Sequence, residues 1–452
     1  MFEKYFKLSD HKVTVRSEIM AGLTTFVTMA YILAVNPQIL GAAGMPAGGV
    51  LIATAIASAI GCFCMALFAN LPFALAPGMG LNAFFAFYVV TNMGYPYQIA
   101  LFAVFLEGLI FILLSLTNVR EAIFNAIPLS LKNAISCGIG LFIALIGLKS
   151  AGLVVPNPDT LVAFAGFNKN FNTSGICALL CLIGILVIIV LTHKKVKGAI
   201  LIGIFAAWIL GMLAQATGLY LPNPEADFFS LYPSWSAPHF EEFGGLVGQA
   251  FNIDFSATPP LELFSITFAF LFVDIFDTVG TLAGVAAKAD MLDSQGRLPQ
   301  ARGALLADAV ATSTGALLGT STVTTFVESS AGVEAGGRTG LVAVTTGVLF
   351  LLAIVLSPIF IAIPGFATAA ALIYVGFSMF TAVVKIDLSD LTEAFPAYLA
   401  ILSMPLFYSI AEGISMGVVS YVLLKLLTGK KKDVSSLMAV LATIFVLRYI
   451  FM

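Results

Sequence analysis

The sequence predicts an all-α polytopic membrane protein whose 14 transmembrane segments form a seven-plus-seven inverted repeat. Three observations lead to this fold class. First, 60% of the 452 residues are hydrophobic and only 10% are charged, whereas a soluble domain has about 25% charged residues. Second, the apolar runs are continuous over about 20 residues, as membrane helices require, and do not alternate as membrane β-strands do. Third, basic residues cluster at alternate loop ends, which gives the helices an orientation.

Composition also limits the function. The apolar composition excludes a soluble enzyme, a disordered chain and a nucleic-acid binder, and the net charge of −3 gives no reason to expect a polyanionic partner. There is no HExxH motif, and no GxGD motif follows an apolar run, which excludes an intramembrane protease. We therefore expect a protein that is not an enzyme and uses no metal or cofactor. The five cysteines lie in apolar runs and are expected to be small buried hydrophobes without disulfides: Cys62, Cys64, Cys137, Cys177 and Cys181.

Seven apolar runs precede a polar interval at 214–260, and seven follow it. The first set covers 17–36, 49–69, 73–91, 97–116, 131–147, 176–192 and 198–213. The second set covers 261–286, 303–319, 323–332, 339–357, 362–384, 395–410 and 414–427. A further apolar segment at 435–452 is either a fifteenth span or a segment lying on the membrane, and we favour 14 spans.

Basic residues orient these spans. The first 16 residues are polar and carry four basic residues, so we expect no cleavable signal peptide. Further basic residues follow spans six, eight and fourteen, whereas the interval 214–260 contains no lysine or arginine. Because basic loops stay in the cytoplasm, we expect a multi-pass protein of the cell inner membrane with a cytoplasmic N-terminus and an external 214–260 interval. The second half then enters the bilayer with the opposite orientation, as in an inverted repeat.

Spans three and ten have compositions that a continuous helix does not tolerate. Span three and its lead-in contain Pro72, Pro77, Gly78 and Gly80, and span ten is rich in hydroxyl and β-branched residues before Glu328. Both predict an extended stretch followed by a half helix. Broken helices at corresponding positions of two repeats are typical of transporter binding sites, although a packing kink is the alternative.

Three acidic residues lie deep in the second half. Asp274 and Asp277 of span eight share one helix face, and Glu328 lies in span ten. A charge at mid-membrane costs at least a few kcal/mol, and these spans contain no basic residue to offset it. We therefore expect some of these acids to be protonated part of the time, as proton coupling requires. The alternative is a structural acid bonded to backbone or hydroxyl groups.

Other polar and aromatic residues are less specific. Thr28, Asn36, Glu107 and Asp308 fit simple interhelical hydrogen bonds. Phenylalanines near the broken spans can stack on a flat ligand, but with 39 phenylalanines in the chain ordinary packing is the simpler explanation for any one of them: Phe26, Phe84, Phe85 and Phe326.

Several motifs together resemble one family. They are KLSDH (7–11), AGLTTF (21–26), MAYI (29–32), APGMGLNA (76–83), DIFDTVGT (274–281) and TTFVES (324–329). The chain resembles the AzgA-like purine permeases, which belong to the nucleobase–cation symporters related to the xanthine and uracil permeases. The resemblance implies uptake of hypoxanthine, guanine, adenine or xanthine together with protons.

The resemblance also implies roles for individual residues. Glu328 and Asp274 would hold the purine, Asn82 would lie in the site, and Asp277 would lie nearby. A carboxylate accepts the N–H groups of a purine edge, and hydroxyl or backbone N–H groups serve its acceptors. Further candidates to line the site are Thr324, Phe326 and Thr28. For proton coupling the candidates are Asp277, Glu328 and Asp274.

The same resemblance implies two domains. Residues 1–117 and 261–358 would form a core domain, and residues 118–217 and 359–428 a gate domain that mediates a homodimer. Residues 218–260 would form an extracellular loop, and 429–452 a cytoplasmic basic stretch with an apolar tail. The alternative function is an anion carrier or channel on the same architecture. Such a protein is expected to place positive groups, not three acids, around its site.

Overall fold

The computed structural model describes residues 2–115, 127–168, 170–226, 228–233, 235, 237–254, 259–289, 291–293 and 298–451. The helices before the polar interval are α1 (Phe2–Phe6), α2 (Val15–Met29), α3 (Ile32–Gly41), α4 (Ala47–Phe68), α5 (Met79–Ala83), α6 (Tyr97–Ser115), α7 (Leu129–Ser150), α8 (Ile176–His193) and α9 (Ala199–Ala216). A π-helix continues α5 over Phe84–Asn92. Strand β1 (Leu75–Pro77) precedes α5, and strands β2 (Val154–Asn157) and β3 (Leu161–Phe164) form a hairpin after α7.

In the described part of the polar interval, the α-helix is the short α10 (Phe240–Leu246). The second half contains α11 (Pro260–Lys288), α12 (Ala301–Leu318), strand β4 (Val323–Thr325), α13 (Ser329–Glu334), α14 (Gly340–Ala353), α15 (Ser357–Ala362), α16 (Gly365–Phe380), α17 (Leu391–Leu406), α18 (Ile410–Leu427) and α19 (Ser436–Phe451). Within the described ranges, nine helical stretches are long and apolar enough to cross a membrane on those criteria alone. The protein is therefore a multi-pass helical membrane protein, while the count of 14 spans stays a prediction.

The two broken spans pair with each other. Strands β1 and β4 run antiparallel, with Leu75 opposite Thr325 and Ala76 opposite Thr324. Two more backbone bonds extend the pairing, from the Gly78 N–H to the Thr322 carbonyl at 3.0 Å and from the Phe326 N–H to the Ala74 carbonyl at 3.0 Å. Backbone polar groups away from water must be paired inside the protein. This pairing lets two non-helical segments lie in the interior, and it confirms that spans three and ten are extended stretches followed by half helices.

The helices pack in two groups. Helices α4 and α12 pack against the paired strands, α6 packs on α12, α14 packs on α4, and α2 packs on α14 and α13. Helices α7, α8, α9, α16, α17 and α18 pack mainly against one another. Helix α11 contacts α6, β4 and α13 in the first group and also reaches α7 and α18 in the second. The paired strands therefore lie in the first group, with α11 beside them.

Helix α19, the apolar segment after the basic stretch, packs antiparallel on α18. Near its start, Asp433 lies 3.3 Å from the buried Lys425 ammonium. Near its end, Arg448 pairs with Glu412 at 2.5 Å, and Glu412 lies in the first turn of α18. Arg448 also donates to the Tyr88 hydroxyl at 3.3 Å. Because Tyr88 belongs to the π-helix of span three, α19 connects the second helix group to the first.

The packing of α13 against α2 leaves no space for a side chain at Gly332. A Cβ there would overlap the Thr25 hydroxyl and lie 2.9 Å from the backbone carbonyl oxygen of Ala21. Glycine at this position therefore sets how closely the half helix of span ten approaches span one.

Replacing Gly332→Ala is expected to lower stability by about 1–3 kcal/mol, the usual cost of overpacking a close contact. The measurement is the Tm of the purified protein in detergent. Gly41→Ala is the matched control, because nothing lies within 4 Å of a Cβ at Gly41 and its Tm should not fall. An unchanged Tm for Gly332→Ala would show that the two helices have room to separate.

Candidate functional site

The polar residues of span eight meet the paired strands at one buried hydroxyl. The Thr278 Oγ1 atom lies 2.8 Å from Asp274 Oδ1, 2.9 Å from Asp308 Oδ2 and 2.8 Å from Thr324 Oγ1. Thr278, Asp274 and Asp308 are completely buried, and Thr324 is 1% exposed. Helix α11 supplies Asp274 and Thr278, α12 supplies Asp308 and β4 supplies Thr324. Asp308 also accepts from the Thr325 backbone N–H at 3.1 Å, which fixes β4 against α12.

This geometry fits a proton held between two carboxyl groups. A hydroxyl has one hydrogen, whereas Thr278 has three oxygen neighbours within hydrogen-bond distance. A protonated carboxyl group can donate a hydrogen bond to the Thr278 oxygen, and an ionised one cannot. The cluster can therefore accommodate a proton on Asp274 or Asp308.

Two other acids lie at the same crossing and are only partly buried. Glu328 immediately precedes α13, and its Oε1 atom accepts a 2.6 Å hydrogen bond from the Tyr31 hydroxyl. Asp277, one turn from Asp274 on α11, lies beside the start of the half helix in span three. A Cβ on Gly78 would be 3.3 Å from Asp277 Oδ2 and 2.7 Å from Thr324 Cγ2. Asp277 is within electrostatic range of both Asp308 and Glu328.

The hydroxyl residues before β4 are held one by one. Asn36 of α3 donates to the Thr320 hydroxyl at 2.9 Å. Ser321 donates to the Asn82 side-chain oxygen, and Thr322 donates to Glu107 of α6 at 2.9 Å. All three hydroxyl residues are completely buried. Three helical elements of the first half thus fix the approach of the chain into span ten.

Some of the site residues predicted from the sequence lie together in the structure, and others lie apart from them. Glu328, Asp277, Asp274 and Thr324 converge at the strand crossing. Asn82 lies beside it but is completely buried, and its amide also donates to the Pro77 carbonyl at 3.4 Å. It is positioned to organise the broken span.

The side chains of Thr28 and of the candidate phenylalanines make contacts within the protein. The Thr28 hydroxyl bonds back to the Thr24 and Thr25 carbonyls at 3.0 and 2.7 Å, and Phe326 is 5% exposed. Phe26 packs edge-to-face on Phe350, with 5.3 Å between ring centroids. Phe84 and Phe85 both pack against Phe270.

Sequence reasoning missed Tyr31 and Thr278 and gave Asp308 only a structural role. A signal existed for Thr278, because it lies four residues after Asp274 and therefore on the same helix face. No local pattern marks Tyr31, since its partner Glu328 is 297 residues away.

Comparison with known proteins places this arrangement in a family. The xanthine/uracil permease profile, described as "Permease family", matches residues 16–416. The adenine permease AdeP of Escherichia coli K12 is 41% identical over 454 residues, covering 100% of this chain and 96% of its own. The guanine/hypoxanthine permease PbuO of Bacillus subtilis is 44% identical over 444 residues, covering 97% of this chain and 98% of its own.

The fold is similar to that of a solved transporter of low sequence identity. The transmembrane domain of the cyanobacterial bicarbonate transporter BicA superposes with a TM-score of 0.64 at 15% identity, covering 88% of this chain and 97% of that one. The family profile covers most of the chain, and the two permeases match nearly all of it. The resemblance read from the motifs is therefore confirmed: the protein belongs to the xanthine/uracil permease family, a family of membrane transporters.

Proposed function

We propose that this protein imports purine nucleobases together with protons across the cell inner membrane. One observation carries the proposal: Asp277 and Glu328, two acidic residues that are only partly buried, lie within electrostatic range of each other where β1 and β4 cross. It is supported by the full-length similarity to an adenine permease and a guanine/hypoxanthine permease. The choice among hypoxanthine, guanine, adenine and xanthine stays open in this proposal.

The chemistry of a purine suits these residues. Its ring N–H groups are donors that a carboxylate accepts, and its ring nitrogens or exocyclic oxygen accept from hydroxyl and backbone N–H groups. We assign Glu328 to accept an N–H of the purine edge. Asp274 is the second candidate, but its carboxyl group is completely buried and bonded to Thr278. A purine reaches Asp274 only if that hydrogen bond is exchanged.

The shared hydroxyl supports proton coupling. Since the Thr278 hydroxyl can accept a hydrogen bond from a protonated Asp274 or Asp308, we assign that pair as the store for one transported proton. Asp277 lies one turn from Asp274 on α11 and within electrostatic range of Asp308, so it is our candidate to pass the proton to the cytoplasm. When purine and proton are bound, the core carries less buried charge, so the free-energy cost of moving it through the membrane is lower. An empty core with ionised carboxylates does not move, which prevents uncoupled leak.

In this proposal the first helix group moves past the second and carries the site across the membrane. We assign residues 1–117 and 261–358 to a mobile core domain, and residues 118–217 and 359–428 to a gate domain that mediates a homodimer. The contacts at the helix ends fit spans that alternate in direction across the membrane. Glu18 of α2 accepts from the Arg338 and Thr339 backbone N–H groups before α14. At the opposite side, Glu242 of the polar interval accepts from the Gly49 N–H of α4 at 3.1 Å.

An anion carrier is the competing function, because the same fold occurs in the bicarbonate transporter BicA. The strand crossing here holds acids, which repel an anion. Uptake of radiolabelled hypoxanthine into proteoliposomes, compared with bicarbonate and sulfate, decides between the two. Saturable hypoxanthine uptake without bicarbonate uptake is the expected result, and the reverse result would contradict the proposal.

Replacing Glu328→Gln should abolish purine binding, whereas Asp277→Asn should keep binding and lose accumulation driven by a pH gradient. A side-chain amide in place of the Glu328 carboxylate offers one acceptor oxygen instead of two, and an amide in place of the Asp277 carboxyl group cannot carry a proton. Equilibrium binding and gradient-driven uptake in proteoliposomes measure the two effects. Glu241→Gln, at an exposed acid of the polar interval, is the control that should change neither. Parental accumulation by Asp277→Asn would move the proton route elsewhere, and normal binding by Glu328→Gln would refute the site.

The orientation is tested with single cysteines placed in a parent that lacks the five native ones. Glu225→Cys in the polar interval should react with an impermeant thiol reagent on intact cells, because that interval is external in the proposal. Thr428→Cys, at the cytoplasmic end of α18, should react only after the membrane is opened. Both positions are exposed, so accessibility on the protein itself does not differ. Labelling at 428 but not at 225 on intact cells would reverse the topology.

A further inference from the structure

Tyr31 is a completely buried tyrosine at the interruption of span one. Helix α2 ends at Met29 and α3 begins at Ile32, so Tyr31 lies in the short joint between them. The side chain is 0% exposed, and its hydroxyl donates to Glu328 Oε1 at 2.6 Å. A buried tyrosine hydroxyl needs a partner, and here the partner is the carboxylate assigned to the purine.

The bond to Tyr31 restricts a residue whose backbone is already held. Ser329, the next residue, accepts from the Ala74 backbone N–H at 2.9 Å, and Phe326 donates its N–H to the Ala74 carbonyl. Span three therefore holds the chain on both sides of Glu328, and Tyr31 of span one holds the end of its side chain. A short bond to a carboxylate is stronger than a bond between neutral groups. With both ends fixed, the Oε2 atom of Glu328 has little freedom left to lose on binding.

We propose that Tyr31 is a positioning residue for substrate recognition, which orients Glu328 so that its second oxygen faces the purine N–H. This inference rests on the proposed function. Tyr31 itself is closed off from any ligand by its complete burial, so it acts only through Glu328. Preorganising a binding group lowers the ordering cost of association, which predicts an effect on affinity and on discrimination between ligands.

The test is Tyr31→Phe, which removes one oxygen and keeps the ring. The KM for hypoxanthine should rise about 10- to 100-fold, as expected for loss of one hydrogen bond to a charged group. The maximal rate should change by less than about twofold, because the bond acts on binding rather than on the moving step. A purely structural role would lower the maximal rate and the Tm together.

A second measurement does not depend on how much protein is folded. Hypoxanthine is compared with its 1-, 7- and 9-methyl derivatives in equilibrium binding. In the parent, the derivative lacking the N–H that Glu328 accepts should bind much more weakly than hypoxanthine. In Tyr31→Phe the ratio of the dissociation constant of this derivative to that of hypoxanthine should fall, because a carboxylate that rotates freely discriminates less between the two ligands. An unchanged ratio, or an unchanged KM, would overturn the role of Tyr31.

Tyr408→Phe is the matched control. Among the described residues the Tyr408 hydroxyl has no hydrogen-bond partner, so its removal should alter neither the KM nor the ligand ratios. A loss equal to that of Tyr31→Phe would mean that any tyrosine change disturbs the protein, and it would overturn the proposal. Failure of the parent to bind any purine would instead refute the proposed function itself.

Discussion

The pairing of β1 with β4 is the interaction on which the rest of the site depends. Two helices are broken in the protein interior, and their exposed backbone groups must find partners without water. The two broken segments pair with each other although they are far apart in the chain, as the register of Leu75 with Thr325 shows.

Buried side chains around the crossing hold the paired segments in place. Asn36, Asn82 and Glu107 hold the incoming hydroxyl residues, and Asp308 holds the backbone of β4. Much of the buried polarity described around the crossing thus serves the break itself.

Local sequence was enough to locate most elements, because span length and composition are local properties. The predicted span at 97–116 agrees with α6, and that at 303–319 agrees with α12. Proline and glycine in span three, and hydroxyl residues in span ten, were enough to predict the breaks. The pairing register was not predictable, since it joins segments with no shared local signal. For the same reason the sequence does not reveal that the Asn82 amide bonds Ser321 and Pro77, or that Tyr31 bonds Glu328.

The arrangement of the helices and the side chains at the strand crossing determine different properties of the protein. A bicarbonate transporter shares this architecture at 15% identity, so the arrangement of helices does not select the cargo. In the proposed function, the side chains at the strand crossing select the transported molecule. Here the crossing carries Asp274, Asp277, Asp308 and Glu328, with hydroxyl groups between them. Acids at this density favour a ligand that donates hydrogen bonds and bears no negative charge, which describes a neutral nucleobase.

In the proposed function, the acids are also the reason that protons and the nucleobase move together. Thr278 has one hydrogen for three oxygen neighbours at 2.8–2.9 Å, and a proton on Asp274 or Asp308 would supply a further donor to this cluster. Loss of that proton would place two buried carboxylates against one hydroxyl and push the groups apart. Because Thr278 also bonds Thr324 of β4, the disturbance would reach the strand pairing directly. Glu328 lies three residues beyond β4, so the proton on the aspartate pair and the carboxylate proposed for the purine are linked through one short strand. That link is the physical basis we propose for coupling, because loss of the stored proton would change hydrogen bonds that also position the proposed binding site.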